Sequence, residues 1–199
     1  MFLWRELCRL EIAMDSFLKL GLPRVLELNV DVLEENFREK GKVAHPDAGG
    51  AADEFEKLRA AYEELKSPAR RIRSVLGPEE DRGVVPSEVM NLFGPVAEAI
   101  QAVDDFLRER ASARSALGRA VLDVRIPELK QGLERLTGQL LTLEEGLIGR
   151  FSNFDSRGWE NCSSEMGEVA RGLVFIENWL GQLRGATGKL FEALLGGMS

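Results

Sequence analysis

His45, Pro46 and Asp47 are the residues of this chain whose types and spacing could do chemistry, and His45 is its single histidine. An imidazole and a carboxylate two residues apart act as an acid–base pair only with a nucleophile or a metal in hydrogen-bond reach. The sequence supplies neither. Cys8 and Cys162 stand far apart with no second histidine to join them, so no metal or cofactor is expected and a reduced, cytoplasmic chain is the default. The stretch Arg184 to Lys189 looks like a phosphate loop only at a glance. Leu183 occupies the place of its first glycine, Leu190 that of the Ser/Thr after the lysine, and the segment lies mid-helix. Three readings of the tripeptide stay open: a catalytic pair, a recognition turn, and a polar turn with no partner. The recognition turn has the fuller context. Pro46 fixes the bend, Gly49 and Gly50 let the backbone reverse, and His45 and Asp47 would point outward.

The turn needs two helices to hold it. Asp15 could cap a short helix carrying Phe17, Leu18 and Leu20, stopped by Gly21-Leu22-Pro23. Asn29 reads as the N-cap of a helix from Val30 to Ala44, with Val30, Leu33, Phe37 and Ala44 near one face. Pro46 ends it, because the residue before a proline is pushed out of the α region. A helix over about Ala52 to Lys66 follows, with Phe55, Leu58, Ala61, Tyr62 and Leu65 at helical spacing, and Ser67-Pro68 restarts a short one through Ile72, Val75 and Leu76. Gly77 to Pro86 reads as a linker.

Beyond it the apolar residues form long seams. Val89, Phe93, Val96, Ile100, Val103 and Leu107 make one; Leu129, Leu133, Leu136, Leu140, Leu143, Leu147 and Phe151 a second; Trp159, Cys162, Met166, Val169, Leu173, Ile176, Leu180 and Leu183 a third. Steps of three and four suit helices packed side by side in a bundle. Gly94-Pro95 is expected to break the first of these helices, Pro127 to sit at N1 of the second, and a shorter helix over about Ala113 to Val124 to join them. Asn153 to Gly158 reads as a compact turn of a final hairpin, and Trp179 as core or interface. Glycines 132, 138, 146, 149, 167, 172, 181 and 185 either allow close helix approach or only lower stability.

The totals narrow the partners. At 44% hydrophobic and 30% charged, the composition is that of a globular chain; the net charge of −7 argues against nucleic acid, and no apolar run is long enough to span a membrane. The opening residues are too charged for a signal peptide, and Glu6 and Glu11 argue against a transit peptide. Phe2, Leu3, Trp4, Leu7 and Leu10 could line an amphipathic helix.

A helix, an exposed His-Pro-Asp turn and a second helix carrying Ala61-Tyr62 and Leu65 resemble the J-domain, which triggers ATP hydrolysis in DnaK-type chaperones. Within that class, Met14-Asp15-Ser16-Phe17-Leu18-Lys19-Leu20-Gly21-Leu22-Pro23 is similar to the opening of the HscB family of iron–sulfur co-chaperones. There a Phe-x-x-x-Gly-Leu-Pro stretch lies close behind the initiator methionine. The likeness implies Met14 as the start and residues 1–13 as an N-terminal extension of the gene model. Ala61-Tyr62, Leu65, Pro68 and Arg71 fall where HscB-like chains carry their Ala-aromatic pair, Leu, Pro and Arg. Trp159 with Val169, Leu173, Phe175 and Ile176 resembles the Trp-led terminal helix. Between about Gly77 and Leu129 the resemblance is poor.

The resemblance implies an all-α chain: a J-domain over 14–76, a linker over 77–86, and a client-binding bundle of about three long helices over 87–196. It implies a non-enzymatic activator of a DnaK/HscA-type ATPase that shifts its partner's conformational equilibrium and presents an IscU-like iron–sulfur scaffold as client. His45, Pro46 and Asp47 would touch the chaperone, with Arg38, Lys40 and Lys42 either joining them or forming a solvated face. Val89, Met90 and Phe93 would touch the client or belong to the bundle core. The departures are specific. Asp31, Glu34, Glu35 and Glu39 offset the three cations, so charge steering would be weak. Ala48 stands where a lysine is usual; Gly94 and Ala97 stand where the client segment carries acids, and Pro95 interrupts it. With no Gly/Phe-rich linker or zinc module, the chain does not resemble a general DnaJ. A J-like adaptor that no longer activates a chaperone is the alternative.

Overall fold

Local chemistry sets the helix bounds in the computed structural model, which describes residues 16–45, 52–76 and 84–195. A first helix, α1, is described over residues 16–20. Gly21 ends it at φ +67°, a backbone region that glycine enters without strain. The Asn29 side chain accepts from the Asp31 N–H at 2.9 Å and the Val32 N–H at 3.3 Å, starting α2, Val30–Ala44. Helix α3, Ala52–Lys66, packs against α2, and the Ser67 hydroxyl caps α4, Pro68–Val75, through the Arg70 N–H. These bounds match the periodicity and capping signals. One expected core residue, Val30, is 42% exposed: at the first position of its helix the α2 face has not yet turned inward.

Then come α5 (Ser87–Met90), α6 (Phe93–Ser112), α7 (Ala116–Asp123), α8 (Ile126–Ile148), α9 (Phe151–Arg157), a 3-10 turn (Trp159–Asn161) and α10 (Ser163–Leu195). Three of these are long, as expected: 20 residues in α6, 23 in α8 and 33 in α10. No strand occurs among the described residues. Three details differ from the sequence reading. The chain breaks at Asn91-Leu92, before Gly94-Pro95, because Pro95 lies in the first turn of α6, where no intrahelical N–H is needed. Residues 151–157 are helical, ended by Gly158 at φ +81° and followed by the 3-10 turn. The joining helix α7 is trimmed at its start by the Ser115 side chain, which accepts from the Gly118 N–H.

By compactness the chain falls into two units. The described residues up to Val84 form one unit with Leu147–Val174, and Val85–Gly146 form another with the residues from Phe175 onward. In the first unit, Phe17, Leu20, Leu22, Leu33, Leu58, Ala61 and Leu65 build one core cluster. Leu147, Phe151, Phe154, Cys162, Met166, Val169 and Leu173 are buried as well. Asp155 ties the segments together. Its carboxylate accepts from the backbone N–H groups of Leu26 and Glu27 at 2.9 Å and from Trp159 Nε1 at 2.8 Å. The Arg24 guanidinium lies over the Trp159 ring, 4.8 Å from its centre.

Arg71 is only 3% exposed, over the Phe151 ring, and its Nε and Nη1 have no hydrogen-bond partner. Burial pushes its pKa down to about 10 against the opposing pull of Asp155, so it stays a cation at neutral pH.

In the second unit, Val89, Val96, Val103, Phe106, Ile126, Leu133, Leu136, Leu140, Ile176, Trp179, Leu183, Ala186 and Leu190 are buried. Most of them belong to the three expected seams. A Cβ added at Gly132, Gly138, Gly146, Gly181, Gly185 or Gly188 would meet nothing within 4 Å, so close helix approach is not why these glycines are there.

Candidate functional site

A ladder of rings runs through the α2–α3 hairpin toward His45. Tyr62 stacks on Phe37 with centroids 4.3 Å apart, Phe37 lies 6.5 Å from Phe55, and Phe55 meets the His45 imidazole edge-to-face at 5.1 Å. The far end is pinned by polar groups. Lys66 donates to the Tyr62 hydroxyl at 2.7 Å and to Glu34 at 3.2 Å, while the Tyr62 hydroxyl donates to Glu34 at 3.3 Å. The two bonds that Lys66 donates, to Tyr62 first and then to Glu34, hold its ammonium above its usual pKa. At the near end, His45 caps α2 in an extended conformation, φ −63° and ψ 136°, as a following proline requires. Its N–H donates to the Gly41 carbonyl at 2.9 Å, and its side chain is exposed. Pro46 and Asp47 lie outside the described residues.

The three expected docking cations are committed to neighbours. Arg38 stands 3.8 Å from Glu35, and Lys42 stands 2.6 Å from Glu39, one helical turn back in each case. The Lys42 hydrogen bond and charge hold the Glu39 carboxyl below the usual range. Lys40 reaches back to donate to the Lys19 carbonyl at the end of α1. These exposed i, i+3 pairs are weak, but they place a carboxylate beside each outward cation. The outer face of α2 is therefore charge-balanced.

The expected client residues separate. Val89 is fully buried and belongs to the core. Met90 is 46% and Phe93 55% exposed, and the Phe93 ring meets Trp179 edge-on at 6.2 Å. The second unit also has a groove of about 530 Å³ lined by Glu88, Leu92, Arg135, Gly138, Gln139, Thr142 and Leu143.

Among the described residues no cluster of His, Cys, Asp and Glu could hold a metal ion. Cys162 is buried against Met166 and donates to the Gly158 carbonyl at 3.2 Å; burial pushes its thiol up, away from a reactive thiolate. Among the described residues no helix is long and apolar enough to cross a membrane. Helical spacing marks Phe55 as one apolar residue of its helix and says nothing of its contact with His45, and Asp155 carries no motif at all.

No family model matches the chain, and no curated protein matches it. Among solved structures, chaperone HscB from Vibrio cholerae matches with a TM-score of 0.60 and 19% identity, over 89% of this chain and 99% of that one. The fold of this chain is all-α and HscB-like.

Proposed function

We propose that this chain is a J-type co-chaperone that stimulates ATP hydrolysis by a DnaK/HscA-type chaperone through His45, Pro46 and Asp47, and presents a client to it. In this reading residues 14–76 act as the J-domain, residues 77–86 as a linker, residues 1–13 as an added extension, and the helices of 87–196 hold the client. The chain works in the cytoplasm and needs no cofactor. One observation carries the reading. The chain's single histidine stands exposed where a capped helix ends, ahead of a second helix packed against the first, in a fold that matches nearly the whole length of a chaperone HscB.

Arg38, Lys40 and Lys42 contribute secondary contacts, since Arg38 and Lys42 are paired with carboxylates and Lys40 is bonded to the Lys19 carbonyl. Met90 and Phe93 are the client-facing candidates, Val89 supporting them from the core. An IscU-like iron–sulfur scaffold is the proposed client.

Single-turnover ATP hydrolysis by the host's DnaK-type chaperones tests the proposal. Wild-type protein is expected to accelerate hydrolysis by at least one paralogue, and Asp47→Asn to abolish the acceleration. Equal rates with and without the wild-type chain would favour the second reading, a J-like adaptor that has lost activation. The charge balance on α2 is the observation that favours it.

A further inference from the structure

Helix α7 turns apolar side chains to solvent. Leu117, Val121 and Val124 are 75%, 65% and 76% exposed, and no residue of the helix is buried. Their steps of four and three are those of a coiled-coil seam, so the three share one stripe. Single exposed apolar residues are ordinary, whereas a stripe of them on one face marks an interaction surface. At eight residues α7 is too short to be stable alone. Polar groups fix it instead. Ser115 caps its start, Asp123 accepts from Arg110 of α6 at 2.6 and 3.2 Å, and Arg125 just beyond it pairs with Glu109 at 2.6 Å.

The charge left over around the stripe has one sign. The chain carries a net charge of −7, yet the carboxylates between residues 104 and 125 are all taken. Asp104 faces Lys189, Asp105 faces Arg108, Glu109 faces Arg125 and Asp123 faces Arg110. Arg114 and Arg119 are the surplus, both exposed. Arg119 donates to the Ala113 carbonyl at 3.4 Å, and among the described residues no carboxylate stands in ion-pair range of either. We propose that this face of α7 docks an acidic amphipathic helix of a protein partner. Its apolar seam would lie along Leu117, Val121 and Val124, with its carboxylates drawn to the surplus charge of Arg114 and Arg119. Charge and area choose this occupant. A second copy would bring the same surplus cations against themselves. Three side chains also cover only a few hundred Å², against roughly 800 Å² per partner in a stable interface. An anionic bilayer is held by clusters of about four to eight cations, more than this face offers. A transient pairing of two helices of opposite charge fits both limits. The surface is separate from the client-facing candidates, since Phe93 opens α6 and α7 follows its far end, roughly 30 Å away. It does not depend on whether the chain activates a chaperone.

The test uses the full chain and a fluorescent peptide about two heptads long, with leucine at a and d and glutamate elsewhere. The same peptide with lysine for glutamate is its partner probe. In anisotropy titrations at low salt the acidic peptide is expected to bind with a Kd of about 10–100 µM, and the basic one at least about tenfold more weakly. Leu117→Ser with Val121→Ser should weaken the acidic peptide about tenfold. Arg114→Glu with Arg119→Glu should do the same and flatten the salt dependence. Both pairs of side chains are exposed, so melting temperatures should match wild type. Leu18→Ser, which removes a similarly exposed apolar side chain from α1, should leave binding unchanged. No binding of the acidic peptide, equal binding of the two peptides, or undiminished binding by the serine pair overturns the proposal. So does a dimer in sedimentation that the serine pair dissociates, which gives the face to a second copy. Pelleting of wild type, but not of the serine pair, with phosphatidylserine vesicles gives it to a membrane and overturns the proposal too.

Discussion

In the first compact unit one carboxylate, Asp155, gathers donors from a loop and from a tryptophan indole, and a buried arginine stands close enough to feel its charge. In the second unit Arg110 holds Asp123 through two part-buried hydrogen bonds, Arg125 with Glu109 and Lys189 with Asp104 are exposed pairs, and glycines face open space along α8 and α10. Hydrogen bonds have direction and penalise a wrong geometry, whereas an apolar seam accepts many nearly equivalent packings. The first unit is thus pinned across distant segments by one carboxylate, whereas the second relies on pairs between neighbouring helices and on its apolar seams.

The largest expected effect breaks the first unit. Asp155→Ala should cost about 3 kcal/mol in a urea unfolding experiment, since the Leu26, Glu27 and Trp159 N–H groups lose their acceptor and Arg71 its balancing charge. A loss under about 1 kcal/mol would show that the clamp is replaced by water. The opposite change sharpens the second unit. Gly132→Ala, Gly138→Ala and Gly181→Ala together should stabilise it by about 2–3 kcal/mol, because each added Cβ meets no neighbour within 4 Å and helix propensity acts alone. Thermal unfolding of the triple variant checks the sum.

The smallest effect tests charge in the second unit. Burial, then the charges of Glu177 and Glu145, push the Glu144 carboxyl above its ordinary pKa. An acid with a raised folded-state pKa contributes stability below its unfolded pKa and loses it as the pH rises through the folded one. Glu144→Gln should therefore stabilise the chain at pH 7 by up to about 1 kcal/mol. The gain should vanish by about pH 3, where the carboxyl is protonated in both the folded and the unfolded chain. Melting curves at the two pH values decide it.

The sequence made some of this legible, and physics says which part. The bounds of α2 followed from Asn29 and Pro46 because caps and prolines act within a turn of themselves. Most of the long seams followed because helical periodicity is local. Phe93 and Phe106 show the limit. Both lie on α6, yet one is 55% exposed and the other fully buried. A three-or-four step cannot fix the edge of a face near a helix start or after several turns of drift. Asp155 was out of reach, since its partners Leu26 and Glu27 lie more than a hundred residues away with no periodic signal between. The Phe55–His45 contact joins two residues already singled out, but the loop between them carries no rule for where the second helix places its first turn.

The Asp155 clamp also sets a clock. Its donors at Leu26 and Glu27 are made 129 and 128 residues before their acceptor. At roughly 5–20 residues per second, ribosomal synthesis separates them by about 6–26 s. Throughout that interval the α2–α3 hairpin can already pack through its own short-range contacts while the loop before it has water in place of the carboxylate. A nascent chain would therefore display the His45 turn before the segment that secures it exists.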